Sequence, residues 1–333
     1  IPGPLYHSGV QAAVAPLYLG GTVVVIKKFD AEHFLKTIEK ERVNFTFVAP
    51  TMLERILKLP EEKCKYDLSS MKVIVCAGAP CPDYVKANIN GLFREQGASV
   101  NVFSEYYGSS EALMISILRP KDYEEKPERY KSVGKAIVSE TRIYNHEKKA
   151  WCAAREIGHV LIRNPRIYQV QAGNSDDINA SFFEVDGVYW YDDGCIGYLD
   201  EDNFLYLTSR SKDMIISGGV NVFPTEIENV IKQHADVMDV VVIKVDDGDL
   251  GEVPGALIQM VDGKSIDESE LITFCKEKGL YGFKLPKHIR IIDKLPKSDA
   301  GKIRKSELEK EFHHLNLPES AGNVPNAIGE GVD

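Results

Sequence analysis

The sequence lacks long apolar runs, paired cysteines and an excess of basic residues. No apolar stretch approaches the roughly 20 residues of a transmembrane helix, so we expect no membrane-spanning segment in these residues. The formal net charge of −10 argues against nucleic acid or an anionic membrane surface as a partner. A dehydrogenase is disfavoured as well, because no G-x-G-x-x-G motif follows the early strand patterns.

The six cysteines give no disulfide or zinc framework, since none forms a C-x-x-C pair and no Cys/His cluster has zinc spacing. Scattered cysteines in a chain of this size predict reduced thiols in a cytoplasm. A length of 333 residues usually builds more than one hydrophobic core, so two domains are expected. Because the chain begins with Ile1 rather than methionine, we interpret it as part of a longer protein.

The first 130 residues alternate between strand and helix patterns. Apolar and β-branched runs predict strands at residues 22–26, 45–49, 72–77 and 99–103. Helix patterns lie between them, after the N-cap Asp30 and at residues 50–59 and 82–96. This alternation predicts a parallel, doubly wound α/β sheet for residues 1–130. Ligands bind such sheets beyond the carboxyl ends of the strands, which here are residues 77–80 and 104–111.

The pattern changes twice further along the chain. Residues 131–211 carry short alternating runs with frequent glycines, which predict a β-rich subdomain, with a small barrel as one arrangement. Residues 212–313 predict a small α+β C-terminal domain that acts as a mobile lid. Its helices are expected at residues 224–234, 267–278 and 305–312, and its strands at residues 237–245, 255–261 and 287–292. The tail, 314–333, is rich in small and polar residues and is predicted to be disordered.

A Tyr-Tyr-Gly-Ser-Ser-Glu stretch follows the predicted strand at residues 99–103. Gly108 would permit a close ligand approach, and the hydroxyls of Ser109 and Ser110 could hydrogen-bond phosphate oxygens. The carboxylate of Glu111 could bind Mg²⁺, which prefers oxygen ligands. An ordinary strand-end turn with a helix-capping serine would have the same sequence, so this stretch alone leaves both interpretations open.

A polar joint, Ser-Arg-Ser-Lys-Asp, leads into the last domain and is followed by Gly218 and Gly219. This arrangement could form a hinge with a mobile loop, although most such joints are only linkers with a turn. Residues 221–228, Asn-Val-Phe-Pro-Thr-Glu-Ile-Glu, indicate on their own only a well-built helix start. Lys302 lies on a glycine-containing turn and could bring a point charge to a phosphate and a carboxylate. A solvated basic loop would look much the same.

In this order and spacing, the four stretches resemble the acyl-adenylate-forming superfamily: acyl-CoA synthetases, firefly-type luciferases and peptide-synthetase adenylation domains. The resemblance covers residues 4–312. The Lys-Asp-Met-Ile-Ile-Ser-Gly-Gly form of the joint is closer to CoA ligases than to peptide-synthetase domains, which usually have Gln-Val-Lys-Ile-Arg-Gly there. The resemblance implies an AMP-forming acid–CoA ligase that uses ATP, Mg²⁺ and coenzyme A on a carboxylic acid. Whether it forms a homo-oligomer is left open.

The resemblance also implies roles for individual residues. Lys302 would bridge the substrate carboxylate and the α-phosphate, His7 would lie beside the acyl pocket, and Glu111 would help to hold Mg²⁺. The implied nucleotide contacts are Gly78, Ala79 and Pro80 at the adenine, Tyr107 stacked on the adenine, Gly108, Ser109 and Ser110 near the phosphates, and Arg210 at the ribose. Lys212 falls at the hinge, and Gly218 and Gly219 fall on the loop that enters for the thioester step.

The implied chemistry accounts for these residue types. Lys302 and Mg²⁺ would offset the repulsion between a carboxylate and a triphosphate as the carboxylate attacks the α-phosphorus. The resulting acyl-adenylate is a mixed anhydride that a thiol can attack. Rotation at Lys212 would then replace the lysine by the Gly218-Gly219 loop, so that one site serves two half-reactions.

The sequence departs from the family pattern in two places. The phosphate-binding loop rich in Ser, Thr and Gly, which should precede His7, is not in the chain, so we expect these residues alone to bind nucleotide weakly. The aspartate that usually receives both ribose hydroxyls is replaced by Cys195, and a thiol is a poor acceptor. Asp193, two residues earlier, would replace it if the loop shifts; otherwise ATP binding is weakened or the nucleotide preference changes.

Three functions are weighed on this basis. The leading one is the acid–CoA ligase. The second is carboxylate adenylation with a carrier protein or another acceptor. The third, motivated by Cys195 and the missing loop, is an inactive fragment or pseudo-ligase. The sequence does not identify the carboxylic acid.

Overall fold

Three β-sheets organise the part of the chain that the structure describes. The computed structural model describes residues 1–3, 8–109, 111–164, 167, 181–297 and 303–312. The elements around the first sheet are, in chain order, α1 Ser8–Tyr18, α2 Ala31–Glu41, β1 Phe45–Val48, α3 Pro50–Leu57, β2 Val73–Cys76, α4 Asp83–Glu95, β3 Phe103–Ser109, β4 Leu113–Leu118, α5 Pro120–Glu125 and β5 Lys135–Ala136.

The first sheet has the order β1-β2-β3-β4-β5. Strands β1, β2 and β3 are parallel, whereas β4 and β5 continue the sheet with antiparallel pairing. The predicted α/β class is confirmed, and the sheet is mixed rather than parallel throughout. Buried side chains of α2 and α4, among them Leu35 and Phe93, share a core with Ile74 of β2. The helix and strand periodicities of the sequence therefore position this core correctly.

Two strand predictions in this region are corrected. The strand expected at residues 99–103 begins only at Phe103 and continues through Ser109, because β4 folds back and pairs with it as far as Ser109. Residues 22–26 form no named strand. The segment makes two backbone hydrogen bonds with Ile1. The Ile1 amino group donates to the Val24 carbonyl at 2.6 Å, and the Ile26 amide donates to the Ile1 carbonyl at 3.0 Å. One residue gives too short a pairing for a β-ladder.

The second sheet occupies the region predicted to be β-rich. It has the order β11-β10-β8-β6-β7, with β9 paired to β10, and the pairs are antiparallel. Among the described residues it is an open sheet. The strands are β6 Glu140–Asn145, β7 Ala150–Trp151, β8 Gly158–Arg163, β9 Phe182–Val185, β10 Val188–Leu199 and β11 Leu205–Arg210. Ala112 and Ile115, at the β3–β4 hairpin, pack into its core beside Val160, which joins the first two sheets.

The third sheet belongs to the C-terminal domain. It has the order β13-β12-β15-β14, with β16 parallel to β15. Pro224 lies in the first turn of helix α6, and the Asp267 side chain accepts the Ser269 amide at the start of α7. Both helix starts agree with the sequence. The elements are β12 Ile215–Ser217, β13 Val220–Val222, α6 Pro224–Ile231, β14 Val237–Asp247, β15 Gly251–Met260, α7 Glu268–Glu277, β16 His288–Ile291 and α8 Lys305–Phe312.

Helix α3 meets the C-terminal domain through charged side chains. Lys58, directly after α3, donates to two backbone carbonyls at the start of β14, each at 3.1 Å. Lys232, at the end of α6, lies 3.6 Å from a Glu54 carboxylate oxygen and 3.2 Å from one of Asp239. Lys297 approaches Asp239 to 2.5 Å. Burial alone would raise the pKa of Asp239, but Lys232 and Lys297 outweigh it and lower the pKa. The pairs of Asp239 lie within the C-terminal domain, and the contacts across to α3 are Lys232–Glu54 and the two hydrogen bonds of Lys58.

Among the described helices, none has both the length and the apolar character that are needed to cross a bilayer. The predicted tail at residues 314–333 lies outside the described residues.

Candidate nucleotide and acyl site

The candidate site centres on Tyr107 of β3 and Asp193 of β10. The Tyr107 hydroxyl donates a hydrogen bond to Oδ2 of Asp193. The other oxygen, Oδ1, accepts from the backbone amide of Cys195 at 3.0 Å. Two residues that are 86 positions apart in sequence are thereby joined at the junction of the first two sheets.

A bulge in β10 gives Asp193 and Cys195 their positions. Strand β10 pairs with β8 at Asp192 and again at Ile196, with a shift of register between them. Within that shift Gly194 has φ 78°, a conformation that favours glycine. Oδ1 of Asp192 accepts the Gly194 amide at 2.7 Å, which fixes the bulge. Bulges of this kind re-aim side chains next to binding sites.

The hairpin between β3 and β4 leaves no room for a side chain at Gly108. A Cβ there would lie 2.0 Å from the Leu113 carbonyl oxygen, so only glycine fits. The Ser109 hydroxyl accepts the Ala112 amide at 3.0 Å and closes the turn. Leu113 has φ 56°, a strained value for a leucine. Backbone strain of this kind persists where the surrounding structure holds it in place, often at functional sites. Glu111 lies within the same turn.

Burial controls the protonation of this cluster. It raises the pKa of Asp193, and it raises the pKa of Tyr107 with help from the Asp193 charge. Burial and then Asp193 raise the pKa of Cys195 to about 12, so the thiol is neutral at pH 7. The pKa of Tyr191 rises to about 12 through burial, followed by the charges of Glu111 and Asp193. Glu111 directly precedes Ala112, which packs in one core with Tyr107, Tyr191 and Cys195.

Two further predicted contacts lie beside this cluster. Arg210 of β11 is exposed and is the register partner of Cys195. The positive charge of Arg210 lowers the pKa of the Cys195 thiol, against the larger effect of burial. The Gly78-Ala79-Pro80 turn is exposed after β2, with φ 95° at Gly78. Cys76 of β2 pairs with Glu105 of β3 in parallel. The turn after Cys76 and Tyr107 after Glu105 therefore lie toward the same edge of the sheet.

The residues predicted to serve the second step lie in the C-terminal domain. Lys212 is in a short 3₁₀ turn, Ser211–Asp213, that leads from β11 to β12. Gly218 and Gly219 form the turn between β12 and β13, with φ values of 55° and 80°. The Gly218 amide donates to the Leu250 carbonyl at 2.8 Å, and a Cβ at Gly218 would contact the side chains of Leu250 and Phe283. The Gly-Gly loop is thus packed within its own domain.

Three predicted residues, His7, Ser110 and Lys302, lie outside the described residues. The structure brings together Tyr107, Gly108, Ser109, Glu111, Asp193, Cys195 and Arg210, with the Gly78-Ala79-Pro80 turn on the same strand edge. It holds Gly218 and Gly219 in the C-terminal sheet.

Two models of one family match the chain. The AMP-binding enzyme model matches residues 1–170, and the AMP-binding enzyme C-terminal domain model matches residues 226–302. The chain belongs to the AMP-binding enzyme family. The expectation from the four motifs is confirmed at this level.

Relatives of this AMP-binding chain carry the names of acid–CoA ligases. A 2-succinylbenzoate–CoA ligase of Bacillus licheniformis is 32% identical over 310 residues, which are 92% of this chain and 60% of the relative. A mitochondrial medium-chain acyl-CoA ligase of Homo sapiens is 32% identical over 95% of this chain and 51% of its own length. The chain therefore spans about half to three fifths of the curated relatives that it matches.

Solved structures agree with the AMP-binding fold. An amide bond synthetase from Marinactinospora thermotolerans has a TM-score of 0.78 at 30% identity, and the match covers 93% of this chain and 61% of that one. An o-succinylbenzoate CoA synthetase from Bacillus subtilis, in complex with its acyl-adenylate intermediate, has a TM-score of 0.75 at 29% identity, with 93% and 60% covered. Both contain the large N-terminal and small C-terminal arrangement of this fold class.

Sequence reasoning missed a buried ion pair beneath the Gly78-Ala79-Pro80 turn of this AMP-binding chain. Lys86 of α4 binds the Glu105 carboxylate, and both side chains are almost completely buried. Glu105 also accepts the Cys81 amide at 3.0 Å, and Lys86 donates to the Ser132 carbonyl at 3.0 Å. Burial raises the pKa of Glu105, although Lys86 opposes the rise. The only available signal was a glutamate next to an apolar run.

Proposed function

We propose that this chain is part of an AMP-forming acid–CoA ligase, which adenylates a carboxylic acid with ATP and then forms a thioester with CoA. One observation carries the proposal. Tyr107, Asp193 and Cys195 form a hydrogen-bonded group at the junction of the first two sheets, in an AMP-binding chain whose relatives are named as acid–CoA ligases. Carboxylic acid, ATP and CoA would then be its small-molecule partners.

In this proposal the adenosine binds between the first two sheets. The adenine would lie against the Gly78-Ala79-Pro80 turn and Tyr107, with Arg210 at the ribose. Asp193 rather than Cys195 would accept the ribose hydroxyls, because a neutral thiol is a poor acceptor. The Asp193 carboxylate is held by two donors, so it is already oriented. The charge of Arg210 and the ribose hydroxyls would favour its ionised form.

The phosphates would follow the β3–β4 hairpin. Ser109 and Ser110 would lie near the phosphate oxygens, beside the hairpin turn in which the close approach of the Leu113 carbonyl requires glycine at position 108. Glu111 suits an Mg²⁺ site, because it offers carboxylate oxygens in the β3–β4 turn, next to Ala112, which packs with Tyr107 and Cys195. The ion, when bound, would reduce the charge repulsion that a carboxylate meets at the α-phosphorus. By resemblance, Lys302 would add a second positive charge there, and His7 would lie beside the acyl group.

The thioester step would require a different domain orientation. We assign residues 1–130 and 131–211 to the large domain and residues 212–313 to the mobile lid. The Gly218 amide donates to the Leu250 carbonyl of the same domain, so the Gly218-Gly219 turn would move together with that domain. Rotation at Lys212 would separate Lys232 from Glu54 and carry the turn to the thiol channel.

A second candidate differs only in the acceptor. The amide bond synthetase, at 30% identity, is as similar to this chain as the CoA ligases are. It supports carboxylate adenylation followed by attack of an amine or another acceptor. An inactive pseudo-ligase is the third candidate, because Cys195 occupies the usual aspartate position. The acid is not assigned, since the related ligases are named for different acids. A cytoplasmic location and a homo-oligomer stay predictions.

The products separate these candidates. The full-length protein is incubated with ATP, Mg²⁺, CoA and a panel of aliphatic and aromatic carboxylic acids, and the products are identified by mass spectrometry. The ligase predicts equal amounts of AMP and acyl-CoA for at least one acid. AMP with a captured amide but no acyl-CoA would favour the second candidate. An acid panel that yields no AMP with any acceptor would contradict both.

A further inference from the structure

Three side chains outside the nucleotide cluster converge on one point of the second sheet. His146 follows β6, His159 lies on β8 and Asp192 lies on β10, and one ligand atom of each lies within 4.8 Å of the others. Nδ1 of His159 is 2.8 Å from Oδ2 of Asp192, and Nε2 of His146 is 3.5 Å from the same oxygen. Donor atoms around a tetrahedral Zn²⁺ lie about 3.3 Å apart when each bond is about 2 Å. Small movements would therefore let all three share one ion.

The cluster contains a polar atom that lacks its own partner. Nε2 of His146 is buried, and it has no hydrogen-bond partner among the described residues. Its distance to Asp192 is at the outer limit for a hydrogen bond, whereas His159 already occupies that oxygen. Buried polar atoms without a hydrogen-bond partner are rare in folded proteins, so such an atom indicates a bound water, ion or other ligand. A bound cation would satisfy this nitrogen.

The ligand side chains are held in place by their surroundings, as they are in known metal sites. Oδ1 of Asp192 is fixed by the Gly194 amide at 2.7 Å, which leaves Oδ2 for an ion. The His146 ring meets the rings of His159 and Phe183 at centroid distances of 4.4 and 4.7 Å. The two histidines are 30% and 27% exposed, which leaves a path for an ion to enter.

We propose that His146, His159 and Asp192 bind one divalent transition-metal ion, with Zn²⁺ as the expected occupant. Two imidazole nitrogens and one carboxylate oxygen suit Zn²⁺ and its neighbours in the first transition row. Mg²⁺ and Ca²⁺ prefer sets of oxygen ligands and would bind poorly here. Three protein ligands leave one position of a tetrahedral ion for water. The sequence carries no local signature, since His159 and Asp192 are 33 positions apart.

The ion would bridge the two sides of the β10 bulge. Strand β8 pairs with β10 at Asp192 and, through His159 itself, at Ile196, and the intervening residues carry Asp193 and Cys195. A metal bond between β8 and Asp192 would therefore hold the bulge in one conformation. The consequence for nucleotide binding rests on the proposed function. If Asp193 receives the ribose hydroxyls, the ion positions the Asp193 carboxylate by holding the bulge.

The test begins with the metal alone. Metal-free protein is titrated with Co²⁺, which reports tetrahedral coordination by its visible absorption, and Zn²⁺ is added as a competitor. One equivalent should bind, and H146Q and H159Q should each weaken binding about tenfold or more. H33Q changes an exposed histidine on α2 and serves as the matched control. Because His146 has no hydrogen bond to lose through Nε2, H146Q decides the matter if H159Q fails to fold.

Two outcomes would overturn the site. The first is that neither Co²⁺ nor Zn²⁺ binds saturably. The second is that H146Q leaves metal binding unchanged, whereas H313Q/H314Q, a double variant near the carboxyl end, removes it. The link to the bulge is measured separately, as the ATP affinity of the full-length protein with and without Zn²⁺. An increase that is lost in H146Q supports the link. An ATP affinity that is the same with and without Zn²⁺ overturns the link. The metal titration contains no ATP, so its result does not depend on the proposed function.

Discussion

The hydroxyl of Tyr107 donates a hydrogen bond to the carboxylate of Asp193 and so ties the β3–β4 hairpin to the bulge in β10. The second oxygen of Asp193 accepts the Cys195 amide at 3.0 Å. The carboxylate is thus held in the loop where family members usually have an aspartate at the position of Cys195. In the proposed function the ribose acceptor is therefore displaced by two residues along the chain but stays in the same bulge.

If Asp193 is the ribose acceptor, D193N should lower ATP affinity about 10- to 100-fold, because a hydrogen bond to a charged group contributes about 1.5–3 kcal/mol. C195S is the matched comparison and should change the affinity by less than about threefold, since the neutral thiol contributes little as an acceptor. Both affinities are measured by calorimetry on the full-length protein. A larger loss in C195S than in D193N would contradict the assignment.

G108A should destabilise the protein by about 1–3 kcal/mol or more, because a Cβ would overlap the Leu113 carbonyl oxygen at 2.0 Å. G91A is the control. Gly91 is an exposed position in α4 with nothing within 4 Å of its would-be Cβ, so alanine should stabilise the helix by about 0.5–1 kcal/mol. Urea unfolding gives both values. Equal effects would show that the hairpin has space to adapt.

K86M should cost about 3–5 kcal/mol, because it leaves the Glu105 charge buried without its partner. K86M/E105L replaces both charges with apolar groups and should recover part of the loss. Thermal or urea unfolding measures the two variants. If the single variant were as stable as the double variant, the pair would not be the buried ion pair described above.

The ion pairs of Asp239 within the C-terminal domain predict a pH dependence of stability. Lys232 and Lys297 lower the pKa of Asp239 below its ordinary value of 3.8. The folded state then binds fewer protons at this group than the unfolded state does, so stability increases with pH here. The contribution is complete above the unfolded pKa and disappears as the pH falls through 3.8 to the lower folded value.

The measurement for Asp239 is the free energy of unfolding between about pH 6 and about pH 2, which extends roughly two units to either side of the unfolded value. D239N should remove this part of the acid dependence and lower stability at pH 6. E124Q changes an exposed carboxylate on α5 and should leave the pH curve unchanged. A D239N curve parallel to that of the unchanged protein would contradict the assignment.

The helices that carry a local start signal or a regular apolar spacing were predicted correctly, because these signals are local, whereas α1 Ser8–Tyr18 and α5 Pro120–Glu125 were not predicted. Asp30 caps α2, and Pro224 begins α6, where the short-range patterns place them. The extent of β3 was wrong because it depends on β4, which pairs with the Tyr-Tyr-Gly-Ser stretch only after the chain reverses. Strand lengths set by a neighbouring strand are not encoded in their own periodicity.

The site was predicted as a list of residues rather than as an arrangement. The Gly78-Ala79-Pro80 turn, Tyr107 and Arg210 could be named from motifs. The Tyr107–Asp193 bond, which spans 86 positions, and the cluster of His146, His159 and Asp192 could not, because they depend on the register of β8 against β10. Lys302 rests on its motif alone.

The most direct measurement of the central claim is carboxylate-dependent exchange of pyrophosphate into ATP by the full-length protein. We expect exchange that requires Mg²⁺ and a carboxylic acid, and that falls by about 100-fold or more in K302A, because a charge that stabilises the transition state is removed. K294A changes an exposed lysine eight positions earlier in the sequence and should keep full activity. Exchange that survives K302A, or no exchange with any acid, would contradict the account.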